Sequence, residues 1–91
     1  MSDAPQTTGL ADPPTTPTER RLAGFWEELL EVENVGRSDS FVALGGNSLL
    51  ASMVANRTEK ALGYRPTVAE IFSLPLAELA RRCEEQSANS L

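Results

Sequence analysis

Proline sets the first limit on what this chain can fold into. Pro5, Pro13 and Pro14 lie within the first sixteen residues and Pro17 follows at once. The stretch 1–16, MSDAPQTTGLADPPTT, offers little apolar surface beyond Met1 and Leu10. That is too little to offset the entropy of ordering it. It reads as a disordered tail or linker, residues 87–91 as a disordered C-terminus, and 17–86 as the folded unit. A unit of that size buries only about 60% of its unfolded surface. Helices, whose contacts are short-range, are the economical way to build it.

The apolar spacing agrees. Leu22, Phe25, Trp26, Leu29 and Leu30 recur three and four apart and form one face of a first helix. Thr16 or Thr18 can cap its start, Pro17 suits a first turn, and Glu19 places negative charge at the positive helix end. The helix is expected to end near Val32. Residues 33–47, ENVGRSDSFVALGGN, mix glycine with polar side chains and read as a long loop, pinned to the core by Val35, Phe41, Val42 and Leu44. A loop of that length in so small a domain is uncommon and is often functional.

A second helix is expected from Asn47 or Ser48 to about Leu62. Ala51, Val54, Ala55, Thr58 and Leu62 make its buried stripe, while Leu49, Ser52, Met53 and Asn56 point elsewhere. Gly63 terminates it. Thr67 can cap a short helix holding Val68, Ile71 and Phe72. Pro75 can open a last helix with Leu76, Leu79, Ala80 and Cys83 on one face and Arg81 and Arg82 near its end. Neither strand alternation nor an internal repeat is visible. The fold class is all-α: a four-helix bundle with a long first loop and a short third helix.

Composition excludes several functions. Lys and Arg total 8 against 13 Asp and Glu, a net charge of −5, so nucleic acid is an unsuitable partner. With no His and one Cys, His-based catalysis, a Cys/His zinc site and an intramolecular disulfide are ruled out, and no metal site is expected. No apolar run approaches the roughly 20 residues of a membrane span, and the N-terminus lacks the regions of a signal peptide. A membrane role is therefore not expected, and a cytoplasmic location is the default. Trp26 reads as a core residue and Cys83 as a small packed one. Arg20, Arg21 and the cluster Glu27, Glu28, Glu31 and Glu33 read as solvated.

The informative run is Leu44-Gly45-Gly46-Asn47-Ser48-Leu49-Leu50. Two glycines leave backbone and Ser48 open to a large approaching molecule. Ser48 lies at a helix start, where free amides and the dipole favour an attached phosphate. Ser or Asn in such a place is also an ordinary helix cap, and the two roles are compatible. Leu50 stands where a nucleophile elbow needs glycine, no His can serve as base, and no Lys precedes Ser48 as a Walker loop requires. An enzyme is therefore not expected.

From Leu22 to Leu79 the chain resembles a peptidyl carrier protein, the thiolation domain of nonribosomal peptide synthetases. LAGFWEELLEV is similar to the family's Leu-x-x-x-Trp-x-x-x-Leu pattern, Val35-Gly36-x-x-Asp39-x-Phe41 to the stretch before its modification site, and LGGNSLLA to its Leu-Gly-Gly-x-Ser-Leu core. Thr67-Val68-x-x-Ile71-Phe72 and Pro75-Leu76-x-x-Leu79-Ala80 resemble its later helices. The resemblance implies the four-helix bundle of acyl-carrier-protein type. It implies that Ser48, within Gly45-Gly46-Asn47-Ser48, receives 4′-phosphopantetheine from coenzyme A through a phosphopantetheinyl transferase. The arm then holds an aminoacyl or peptidyl thioester for adenylation, condensation or tailoring enzymes in natural-product synthesis.

Asn47 departs from the family, which often has His or Asp there. Fatty-acid carriers read Asp-Ser-Leu and have a strongly acidic second helix, whereas 49–62 contains Arg57, Lys60 and only Glu59. That favours the peptidyl type, with a polyketide or fatty-acid acyl carrier as the alternative and a cofactor-free helical interaction module as a further one. Leu49, Met53 and Asn56 are the expected partner contacts. A single arm serving several enzymes favours a monomer, either free-standing or one domain of a larger synthetase.

Overall fold

The structure, a computed structural model, describes residues 12–89. It contains four helices: α1 (Pro17–Leu30), α2 (Ser48–Leu62), α3 (Val68–Ser73) and α4 (Leu76–Asn89). Among the described residues there is no strand. α1 packs on α2 and α4, and α2 carries α3. The expected all-α bundle, with its long first loop and short third helix, is what forms.

Thr16 caps α1, its Oγ1 accepting the Glu19 N–H at 3.0 Å. The helix stops at Leu30 rather than near Val32. Glu31 turns left-handed at φ 58° and the Val32 N–H reaches back to the Glu27 carbonyl. This closes the helix in Schellman fashion without the glycine that marks such ends in a sequence. α2 ends with Gly63, left-handed at φ 80°. α3 has a full capping box, in which Thr67 Oγ1 accepts the Glu70 N–H and Glu70 Oε1 accepts the Thr67 N–H.

Leu22 and Trp26 of α1, Phe41 of the loop, Ala51 and Val54 of α2, Ile71 of α3 and Leu76 and Leu79 of α4 are fully buried together. Phe41 stands at the centre of an aromatic stack. Its ring lies edge-on to Trp26 at 5.2 Å between centroids and stacked on Phe72 at 6.2 Å. Val35 is buried as expected, but Val42 is 51% exposed and does not pin the loop. Residues 41–45 are coiled as a turn, so the residue after the inward-facing Phe41 points outward.

Cys83 packs as a small apolar residue, and burial together with the Glu70 and Glu84 charges pushes its thiol up to about 11. Burial pushes the Glu70 carboxyl up, but the Thr67 N–H, the Tyr64 hydroxyl and Arg82 outweigh it and hold the group below its ordinary value. Arg82 pairs with Glu70 at 2.7 Å and Arg81 with Glu78 at 3.4 Å. Neither arginine sits at the end of α4, because the helix backbone runs on to Asn89.

Most of the expected tail, 1–16, lies outside the described residues, as do 90 and 91. The part that is described is attached. The Arg37 N–H donates to the Asp12 carbonyl at 2.8 Å, and the Thr15 N–H donates to Glu19 Oε1 at 2.8 Å. Glu19 does more than complement a dipole. It is 3% exposed, and Arg37 donates to both its oxygens, at 3.1 and 3.0 Å. Hydrogen bonding by Arg37 outweighs burial and holds the Glu19 carboxyl at about 2. Glu27 likewise is not simply solvated, since its Oε2 accepts the Val35 N–H at 3.1 Å. Arg21 donates to the Ala61 carbonyl, and Glu28 pairs with Arg57.

Candidate functional site

The approach to Ser48 is one tight turn followed by a helix start. The Leu44 N–H donates to the Ser40 carbonyl at 3.1 Å, the Gly45 N–H to the Val42 carbonyl at 3.0 Å and the Gly46 N–H to the Phe41 carbonyl at 3.0 Å. The last two bonds are the pair that defines a Schellman close, which puts a left-handed residue at the position Gly45 holds. Gly45 is at φ 99°, where a side chain is strained.

Gly46 is glycine for a different reason. A Cβ there would lie 2.3 Å from Cδ2 and Cε2 of Phe41 and 2.9 Å from the Phe41 carbonyl oxygen. The space around Gly45 is open, as expected of both glycines; the room beside Gly46 belongs to the buried Phe41 ring.

Asn47 then starts α2. Its backbone is extended, its Oδ1 accepts the Leu50 N–H at 2.9 Å, and its carbonyl accepts the Ala51 N–H at 2.9 Å. Asn47 therefore does the capping and Ser48 is the first helical residue. Ser48 is exposed, and among the described residues nothing hydrogen-bonds its hydroxyl. The two readings of the serine thus separate onto neighbouring residues. The first amides of α2 precede its first intrahelical bond, and its first turn carries no acidic side chain. A phosphate ester on Ser48 Oγ fits this place: the hydroxyl is free, no side chain at 45 or 46 obstructs it, and the helix end is positive.

Along the chain on either side of the serine the exposed side chains include large apolar ones and no charged ones. Leu49 is 70% and Met53 39% exposed, and Val42 from the preceding turn joins them as the third large exposed hydrophobic residue. From Ser40 to Asn56 the chain has no Asp, Glu, Lys or Arg. Asn56 is exposed too, but Arg65 holds its Oδ1 while also donating to Glu59 at 3.2 Å. The expected contacts Leu49 and Met53 are thus free, whereas Asn56 is engaged within the domain. Val42 is legible in the sequence only as a hydrophobic loop residue; nothing in its type distinguishes an anchor from an exposed side chain.

The family model for the phosphopantetheine attachment site matches residues 20–83. The chain belongs to the phosphopantetheine-attachment family. Within it, the domain is 46% identical over 72 residues to a linear gramicidin synthase of Brevibacillus parabrevis, covering 78% of this chain and 1% of that one. It is similar to the peptidyl carrier protein solved in complex with the phosphopantetheine transferase Sfp and coenzyme A, at TM-score 0.78 and 28% identity, covering 81% of this chain and 97% of that one. It is also similar to McyG A-PCP complexed with phenylalanyl-adenylate, at TM-score 0.74 and 34% identity, covering 84% of this chain and 12% of that one. The carrier domain thus spans a small fraction of the synthase it matches. Its role is that of a phosphopantetheine carrier of the nonribosomal peptide type.

Among the described residues no group of three or more His, Cys, Asp or Glu is placed to hold a metal ion. No described helix is long and apolar enough to cross a membrane.

Proposed function

We propose that Ser48 Oγ is the attachment point of 4′-phosphopantetheine and that the carrier domain delivers an aminoacyl or peptidyl group from it. The observation that carries this reading is the division of labour at the start of α2: Asn47 caps, and Ser48 presents an unpartnered, exposed hydroxyl. When attached, the arm supplies a terminal thiol that holds the cargo as a thioester. The chain's own residues supply the anchor oxygen, the positive helix end beside the phosphate and the apolar surface around it. The domain catalyses nothing itself: the chain has no His, and among the described residues no base hydrogen-bonds the Ser48 hydroxyl to make it a nucleophile in its own right.

The carrier unit is 17–86, with 12–16 laid against it, and it works as a monomer in the cytoplasm. Its partners are a phosphopantetheinyl transferase, an adenylation enzyme or domain, and condensation or tailoring enzymes. They dock on Leu49 and Met53, with Val42 added to that surface and Asn56 at its edge. A neutral face suits enzymes that bind through apolar contact.

The test is intact mass after incubation with coenzyme A, magnesium and a broad-specificity transferase. The parent is expected to gain one phosphopantetheine and Ser48→Ala none. Equal gain by both proteins places the arm elsewhere. Loading of the modified form by an amino-acid-adenylating enzyme, against an acyl-loading one, separates the peptidyl reading from the polyketide one.

A further inference from the structure

We infer that Phe41, which touches no substrate, is the positioning residue for modification of Ser48; the inference rests on the Ser48 reading. Phe41 is wholly buried, and its ring is fixed from two elements, edge-on by Trp26 of α1 and face-on by Phe72 of α3. The same residue carries Gly46 twice. Its carbonyl accepts the Gly46 N–H at 3.0 Å, and its ring fills the place where a Gly46 side chain would be. Gly46 is followed at once by the Asn47 cap and the Ser48 hydroxyl. Two short, bonded residues therefore separate a ring locked in the core from the reacting oxygen. Where the ring stands, the first turn of α2 stands.

In the reaction the Ser48 oxygen forms a bond to the pantetheine phosphorus of coenzyme A. The bond from that phosphorus to the bridging oxygen of the pyrophosphate breaks, adenosine 3′,5′-bisphosphate leaves, and the serine proton passes to solvent through the transferase. In-line attack of this kind is sensitive to placement, and an error of about 1 Å can cost roughly 100-fold in rate. The docking residues Val42, Leu49 and Met53 are exposed and do not line the Phe41 stack. Val42 follows Phe41 and Leu49 shares the first turn of α2 with Ser48, whereas Met53 lies more than a turn further on, so loss of the ring lowers kcat by more than it raises KM for the carrier.

The experiment compares the parent, Phe41→Leu and the control Leu79→Val, which thins the same core from α4 rather than from the loop. All three are assayed with the transferase and coenzyme A where circular dichroism shows them fully folded. Phe41→Leu is expected to lose at least about tenfold in kcat with a clearly smaller rise in KM for the carrier, while Leu79→Val matches the parent in both. Should Phe41→Leu not fold, Phe41→Met takes its place under the same readout. An unchanged kcat, or an equal loss in the Leu79→Val control, overturns the positioning role and leaves the Ser48 reading standing. A parent that gains no mass overturns both.

Discussion

The loop that leads to Ser48 is built in two halves by two different means. Residues 35–39 are held largely by charge. Glu27 accepts the Val35 N–H, Asp39 Oδ2 accepts the Gly36 N–H at 2.8 Å, and Arg37 clamps the buried Glu19. The Arg37 backbone also joins Asp12 on one side and Ala77 on the other. Residues 40–47 contain no charge at all. They are held by backbone bonds, the Ser40 hydroxyl accepting the Ala43 N–H at 3.3 Å, the Phe41 ring beneath Gly46, and the neutral amide of Asn47. The first half anchors the loop where three segments of chain meet. The second fixes the attachment turn without putting a charged group on its surface, so an enzyme can dock there without stripping water from ions.

The sharpest way to break this comparison is Gly46→Ala. Its methyl meets the Phe41 ring and carbonyl, and neither can move without disturbing the stack. Overpacking of this kind is expected to cost about 3 kcal/mol. Urea unfolding should show it, and the cost should shrink when Phe41→Leu is added. A full cost in the Phe41→Leu background would mean that the clash lies with the backbone alone and that the ring does not govern the neutral half.

Next in size is the charged half. Glu19→Gln removes the charge that Arg37 clamps and is expected to cost about 2 kcal/mol at neutral pH. The carboxyl is near 2 in the fold against an ordinary 4.5, so its contribution is complete above about 4.5 and disappears as pH falls toward about 2. The parent should therefore lose stability across that window and Glu19→Gln should lose less, with Glu70, also held low, leaving a residual slope. Stability measured in urea at a series of pH values checks this. Parallel curves would show that the clamp on Glu19 is not what holds residues 35–39.

The two halves are unequally legible in the sequence. The helices follow from three-and-four spacing, and the loop from its glycines and polar residues. The run around Ser48 is readable because glycine, asparagine and serine each have narrow backbone roles. Even so, residue type alone gives the two glycines one shared purpose, whereas Gly45 serves a left-handed bend and Gly46 serves the Phe41 ring. That distinction depends on which residue lies underneath, which local sequence does not encode. The Glu19–Arg37 clamp joins residues eighteen apart, and in the sequence Glu19 reads only as a charge at a helix start while nothing singles out Arg37. Glu31 ends α1 in a conformation that costs a non-glycine residue energy, so no local signal marks it. Val42 looks like an anchor by type and is exposed by geometry.

Asn47 supplies a smaller test of the neutral half. Asn47→Ala removes the oxygen that accepts the Leu50 N–H and is expected to cost about 1 kcal/mol, while Asn47→Asp costs almost nothing. Thermal unfolding of the three proteins checks the order. An alanine variant as stable as the parent would mean that the Ser48 hydroxyl can take over the cap. The partition of roles between the two residues would then be a preference rather than a requirement.

The smallest effect expected is that of salt, and it discriminates between the halves. Surface ion pairs are screened over about 10 Å at 0.1 M salt, whereas apolar contact is not. Docking on Val42, Leu49 and Met53 should therefore leave KM for the carrier within about twofold as sodium chloride rises from about 0.05 to about 0.5 M. Leu49→Asp with Met53→Asp, by contrast, should raise it in all of these conditions. Charged residues begin again immediately after Asn56, with Arg57 paired to Glu28 and Arg65 to Glu59. A KM that climbs tenfold with salt would mean that the docking surface extends past Asn56 onto those groups. The neutral stretch would then be only the centre of a charged interface, and the contrast between the halves would concern how the loop is held rather than how partners recognise it.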